Sequence, residues 1–174
     1  IQAISTNTTT NPYCIKQSNK GKLTGKNICG ECYSMASLTG YMKSMTPALE
    51  RNSVALSVPL SEDQIPFINA AVFRFQAHGE LINVTHFDNL MRIAKANPWV
   101  QCFALWTKRV DIVNRWLRSN ALPPNVKLIY SNPKIGHIMS KPPKGFHMSF
   151  NNVWKGDKRP QNCTGQKCKD CLIC

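Results

Sequence analysis

Seven of the eight cysteines fall into two clusters whose spacing suits ligation chemistry. Cys14, Cys29 and Cys32 form Cys-x14-Cys-x2-Cys-Tyr, and Cys163, Cys168, Cys171 and Cys174 form Cys-x4-Cys-x2-Cys-x2-Cys. Cysteines separated by two residues are poor disulfide partners for each other. They are good joint ligands, because a tight turn aims both sulfurs at one centre. An even count also leaves disulfides as an alternative. Cys102 lies in the apolar run Val100-Gln101-Cys102-Phe103-Ala104-Leu105 and reads as a small core residue.

Iron–sulfur and zinc centres both take thiolates, and both use Cys-x2-Cys. A zinc ribbon built from Cys29, Cys32, Cys168 and Cys171 would leave Cys14, Cys163 and Cys174 without a task. The terminal Cys-x4-Cys-x2-Cys matches the opening of plant-type ferredoxin spacing. An iron–sulfur cluster is therefore the expected cofactor, with zinc as the alternative. Two allocations stay open. In one, Cys14, Cys29 and Cys32 hold a 4Fe-4S cluster with an open iron, while the four terminal cysteines hold a second, closed one. In the other, a single cluster takes the terminal cysteines. An open iron can bind and activate a substrate, whereas a fully thiolate-ligated one transfers electrons or braces the fold.

The elements that must position these groups alternate. Apolar runs over residues 70–75, 100–106, 126–130 and 145–150 read as strands. Between the first two, Phe87, Leu90, Met91 and Ala94 share one helical face, with Thr85 and Asp88 placed as a capping box. Val110, Val113 and Leu117 mark the next helix. Residues 32–41 and 47–56 read as helices, the latter capped by Thr46 with Pro47 at its first position. Strands spaced in this way predict βα units, a parallel sheet and an α/β fold.

Ligands of parallel sheets bind at the carboxyl ends of the strands. His78, Gly79 and Glu80 follow the first strand, Lys108 and Arg109 the second, Asn132 the third. His78 and Glu80 can serve as acid, base or ligand, and Gly79 admits a close backbone approach. Arg74 and Gln76 share a strand face opposite Phe73 and Phe75, and an unpaired charge on an otherwise apolar strand is expensive, so Arg74 is expected to be buried and paired with an acidic group or a bound anion. Arg74, His78, Glu80 and Lys108 are the candidate catalytic residues. Tyr33, Gly79 and Asn132 are the candidate cofactor-binding ones.

The 174 residues carry 22 Lys and Arg against 9 Asp and Glu, a formal charge of +13. Such a balance favours nucleic acid or another polyanion as partner. A hydrophobic content of 43% excludes a disordered chain. No apolar run reaches the ~20 residues of a membrane span, and residues 1–6 show no secretory pattern. One domain is expected: a cysteine segment and helix over 1–45, a βα core over 46–150, and a cysteine-rich tail over 151–174. Of the four tryptophans, Trp99, Trp106 and Trp116 read as core, and Trp154 has the basic surroundings of a base-stacking residue.

Taken in order, Cys…Cys-x2-Cys-Tyr, the strand ending Arg-Phe-Gln-Ala-His-Gly-Glu (74–80), Phe-Ala-Leu-Trp-Thr-Lys-Arg (103–109) and the terminal cysteines resemble the phage "gene product 88" family. More distantly, the chain is similar to phage radical-SAM-like proteins. The resemblance covers about residues 14–174. It implies a partial (βα) barrel of radical-SAM type with cysteine-rich N- and C-terminal segments, an iron–sulfur cluster, and a place in the cytoplasm of an infected bacterial host cell. Two departures bear on S-adenosylmethionine as a cofactor. Radical-SAM enzymes carry Cys-x3-Cys-x2-Cys, and here the first spacing is fourteen, read as a loop bearing Lys16, Lys20, Lys22 and Lys26; a Gly-Gly-Glu run is also missing. Loop-closure entropy grows slowly with length, so Cys14 can still reach the cluster. Two functions follow: a redox or radical-type enzyme, or a non-catalytic iron–sulfur or zinc protein that binds nucleic acid or transfers electrons.

Overall fold

The computed structural model describes residues 2–154 and 156–159. Its centre is a parallel five-stranded sheet, in the order β1 (Gln2–Ile4), β2 (Val72–Phe75), β3 (Cys102–Thr107), β4 (Val126–Ser131), β5 (Met148–Phe150). Each strand pairs in parallel with its predecessor in sequence. Five α-helices accompany them: α1 (Pro12–Thr24), α2 (Tyr33–Thr39), α3 (Thr46–Ser57), α4 (Val84–Ala96) and α5 (Val110–Trp116). The fold is mixed α/β. Among the described residues no helix is long and apolar enough to cross a membrane.

Register divides the sheet into two unlike faces. Phe73, Phe103 and Val126 lie side by side on one, followed by Phe75, Leu105 and Leu128. This face carries the core. Phe75 stacks on Phe103 at 4.9 Å, and Phe87, Leu90 and Ile93 of α4 with Val113 of α5 are fully buried in the same cluster. Phe87 meets Trp116 edge-on at 5.2 Å. The other face presents Arg74, Ala104 and Lys127 in one row and Trp106, Ile129 and Met148 in the next. One face is thus built for burial, and the other is left to carry polar groups.

Buried asparagines clamp the long connection between α3 and β2. Asn97 Nδ2 donates to Pro66 O and Ile93 O while its Oδ1 accepts from Ile68 N, and Asn89 Nδ2 donates to Leu56 O and Val58 O. These bonds satisfy backbone groups that would otherwise be buried without partners.

Several local expectations change. Asn83, not Thr85, caps α4, its Oδ1 accepting from His86 N at 2.8 Å. Asp88 instead accepts from Trp116 Nε1 at 2.8 Å. Met45 occupies the cap position of α3 and makes no side-chain cap bond, whereas Thr46 Oγ1 donates to Lys43 O. The lysine-bearing stretch after Cys14 is not a loop but helix α1 as far as Thr24, carrying Lys16, Lys20 and Lys22, while Lys26 lies beyond its Gly25 cap. Cys102 is half-buried rather than core.

Candidate functional site at the strand ends

The first cysteine cluster is assembled by α1 and the turn behind it. Asn11 caps α1, its Oδ1 accepting from Tyr13 N at 3.0 Å and Cys14 N at 3.3 Å, and Pro12 starts the helix. Cys14 therefore sits in the first turn. Gly25, with φ 63°, closes the helix by donating its N–H to Gly21 O at 2.8 Å. The chain then reverses. Asn27 Oδ1 accepts from Cys29 N at 2.9 Å, a 3₁₀ turn covers Ile28–Glu31, and Cys32 caps α2.

Two contacts hold this hairpin of helix and turn in place. Gly21 of α1 lies directly against Gly30, between Cys29 and Cys32, so closely that a Cβ on Gly21 would fall 2.2 Å from Gly30 N. The turn is also sewn to the loop after β4, through Ile28 N to Pro133 O at 2.9 Å and Ile135 N to Lys26 O at 3.1 Å. At the helix start, the Arg109 guanidinium lies over the Tyr13 ring at 4.9 Å and is held there by Asp111. None of these anchors was legible as such in the sequence; the Gly21–Gly30 pair had no signal beyond two glycines.

The result is a cavity of about 450 Å³ over the polar face of the sheet. Cys14, Cys29 and Cys32 line it together with Arg74 and Trp106 of the strands and Lys108 at the exit of β3. Tyr33, Gly79 and Glu80 also line it, whereas His78 and Asn132 do not. Asn132 is buried in its own loop, donating from Nδ2 to His137 O at 2.6 Å and accepting on Oδ1 from Lys134 N at 3.1 Å. Cys163, Cys168, Cys171 and Cys174 lie outside the described residues.

Burial is the largest influence on the thiols. It pushes Cys14 well above its ordinary range, with the Glu80 charge and the neighbouring Cys32 and Cys29 adding and Lys108 opposing. Cys29 moves up for the same first reason, again opposed by Lys108. Three soft donors lining one cavity suit a thiophilic metal centre. The donor set fits such a group. Among the described residues, however, no three His, Cys, Asp or Glu side chains stand as a preformed metal cage. The trio shares a cavity and would have to close on the metal.

The rim is a network of buried polar groups from the strand exits. Glu80, 4% exposed, accepts from Thr107 Oγ1, Leu81 N and Lys108 N, so both carboxylate oxygens serve to lock the exit of β2 to that of β3. Ser34 Oγ of α2 lies 2.8 Å from His78 Nδ1 and also contacts Thr8 Oγ1, which accepts from Gly79 N at 2.8 Å. Burial, then the Arg74 charge, lowers the His78 pKa. Tyr33 OH donates to Ala77 O. Gln76 adopts a φ of 61°, a conformation unusual outside glycine, and takes Thr6 Oγ1 on its Oε1 at 2.9 Å.

Gly79 permits a close approach, as its position suggested, but to Thr6 of the β1 exit. Its φ is 82°, and a Cβ would stand 2.2 Å from Thr6 Oγ1 and 2.6 Å from Thr6 O. Gly79→Ala is expected to destabilise the chain by about 2–3 kcal/mol, strain and clash together. Urea unfolding checks this, and a change below about 0.5 kcal/mol, the scale of an ordinary surface substitution, would contradict the packing described.

Arg74 does face the cavity from the side opposite Phe73 and Phe75. It is half-buried rather than buried, and among the described residues it has no acidic partner. Its guanidinium lies over the Trp106 ring instead, 4.5 Å from the centroid. Trp106 is thus a cavity residue, Trp116 a core one, and Trp99 and Trp154 are about half exposed.

The family model described as Gene product 88 matches residues 11–164, a span that opens at the cap of α1 and runs past β5. No curated protein and no solved structure matches the chain. The match takes in the α1 anchor, the cysteine trio and every strand except β1, and on it the chain belongs to the Gene product 88 family.

Proposed function

We propose that the chain is an iron–sulfur protein whose cavity-side cluster, held by Cys14, Cys29 and Cys32, serves a redox or radical-type reaction. The observation that carries this reading is the gathering of three cysteines, spread over nineteen residues of sequence, in the lining of one cavity at the carboxyl ends of a parallel sheet. The sequential strand order supports a partial (βα) barrel of radical-SAM type, since winding in one direction is how such a barrel begins. Cys163, Cys168, Cys171 and Cys174 are assigned to a second cluster on their spacing.

When bound, a three-thiolate 4Fe-4S cluster supplies one-electron chemistry and an open iron to the cavity. The chain's own residues do the rest. Lys108 places positive charge where it favours the Cys14 and Cys29 thiolates. Glu80 holds the Lys108 backbone, and with it the strand exit, in place. His78, hydrogen-bonded at Nδ1 to the cavity-lining Ser34, can accept a proton one residue removed from the cavity. Arg74 and Lys108 bring two cations to a cavity that Glu31 and Glu80 also line.

The test is to incubate reduced, iron-loaded protein anaerobically with S-adenosylmethionine and measure 5′-deoxyadenosine. Formation that Cys32→Ser abolishes supports a radical-type enzyme. Iron-loaded protein that forms none favours the non-catalytic reading, in which the clusters brace an electron-transfer or nucleic-acid-binding module of charge +13.

A further inference from the structure

Two hydrogen-bond donors in the cavity wall have no partner among the described residues: Arg74 Nε and Trp106 Nε1. Both belong to residues that line the cavity, and both atoms are shut off from water. A buried donor without an acceptor is costly, and native folds rarely keep one without a use for it. Here two stand together. The other tryptophan donors of the sheet region are satisfied, Trp116 Nε1 by Asp88 Oδ1 at 2.8 Å and Trp99 Nε1 by Ile68 O at 2.7 Å.

The two donors are held by a stack. The Arg74 guanidinium lies over the Trp106 ring at 4.5 Å, and Trp106 stacks on Phe150 of β5 with centroids 5.1 Å apart and planes 17° from parallel. Guanidinium, indole and phenyl thus follow one another in contact, and the N–H bonds of each planar group lie in its own plane rather than pointing from its face. Lys108 adds a second cation from the next strand exit. Glu80 brings a negative charge to the same cavity, but its oxygens are held by Thr107, Leu81 and Lys108 backbone and hydroxyl donors and form no ion pair with Arg74.

We infer that this corner is a binding site for the oxyanion of a small molecule, a carboxylate or a phosphate, with Arg74 Nε and Trp106 Nε1 as direct donors and Lys108 as the supporting charge. An oxyanion offers several lone pairs to converging N–H groups, and a planar guanidinium beside a second donor is a common way of meeting it. The inference rests on the reading of this cavity as the reaction chamber and names the charge class of what enters it. It does not require the cluster, so it is tested on metal-free protein.

The readout is the indole Nε1–H signal of Trp106 in a nitrogen–proton correlation spectrum of the full chain, assigned by its loss in Trp106→Phe. Inorganic phosphate and succinate are titrated separately at 0.15 M salt. One or both are expected to shift the Trp106 signal saturably while the Trp116 and Trp99 signals, already hydrogen-bonded, stay in place. Arg74→Gln should weaken that response about tenfold or more, the scale of a lost charge-assisted hydrogen bond. Unmoved Trp116 and Trp99 signals in the variant report that its fold is kept. A response to phosphate alone assigns a phosphate, and to succinate alone a carboxylate. A Trp106 signal that neither probe moves, or that moves equally in Arg74→Gln, overturns the site, while iron content bears only on the cluster.

Discussion

Gly21→Ala is expected to destabilise the chain and to remove iron from the cysteine trio, although alanine is the better helix former. In an isolated helix the change would stabilise by about 1 kcal/mol. In this fold the new Cβ would stand 2.2 Å from Gly30 N, 2.6 Å from Gly30 Cα and 2.8 Å from Asn27 O. All three are backbone atoms, so no rotamer change relieves the contact, and α1 must lift away from the turn. Overpacking of this kind costs about 3 kcal/mol, which outweighs the helix gain. The displacement also separates Cys14, on α1, from Cys29 and Cys32, on either side of Gly30. Urea unfolding and iron analysis of the variant check both consequences. Gly25 provides the control: a Cβ there meets nothing within 4 Å, so Gly25→Ala should lose only about 1–2 kcal/mol from its positive φ and keep its iron. A Gly21→Ala protein more stable than its parent, with full iron, would refute the helix–turn contact.

Acidification should weaken the fold through His86. This ring is fully buried beneath the cavity, its Nδ1 accepting from Ile82 N at 3.2 Å and its Nε2 lying 2.7 Å from the Gln76 side-chain amide. Burial lowers its pKa from 6.5 to about 4. A proton on Nδ1 would also set one N–H against another. Between pH ~6.5 and ~4 the unfolded chain therefore binds a proton that the folded chain refuses, and stability rises with pH. The contribution is complete above pH ~6.5 and declines as the pH falls, by about 3 kcal/mol in all at 1.36 kcal/mol per pH unit. His78 and His147, also lowered chiefly by burial, act in the same direction. Unfolding free energies of the wild type and His86→Gln from pH 7 to pH 4.5 isolate the effect. The gap between the two proteins should shrink as the pH falls, and a constant gap would show that His86 takes up its proton in the fold.

What the sequence revealed and what it hid divides along physical lines. The strands of the core were legible because burial on one face leaves a dense apolar run, as in Phe73 to Phe75 and Phe103 to Leu105. The helices α4 and α5 were legible through their apolar stripes. β1 was not, since it is a three-residue edge strand followed by Ser5, Thr6, Asn7 and Thr8, all buried by hydrogen bonding rather than by hydrophobicity. Helix α1 was hidden for a related reason. It has no apolar stripe, buries only Ser18 and Gly21, and depends on the Asn11 cap and a glycine contact that become visible only in space.

The candidate site divides in the same way. Strand alternation was enough to set Arg74 on the face away from Phe73 and Phe75, and the strand-exit rule was enough to bring Glu80, Gly79 and Lys108 to one cavity. Their partners did not follow from the rule. Glu80 became a brace because three donors converge on it, Arg74 settled on Trp106 rather than on a carboxylate, and Asn132 turned into its own loop. Strand order and alternation fix where a side chain starts, while its contacts depend on which distant segments fold over it.

Iron and acid-labile sulfide in anaerobically purified full-length protein test the central claim most directly, when the wild type is compared with a Cys14→Ser, Cys29→Ser, Cys32→Ser triple variant. Iron and sulfide in equal amounts in the wild type, with one cluster's worth missing from a folded variant, is the result this account predicts. Colourless wild-type protein that holds zinc and no iron, or a triple variant with iron and sulfide undiminished, would contradict it.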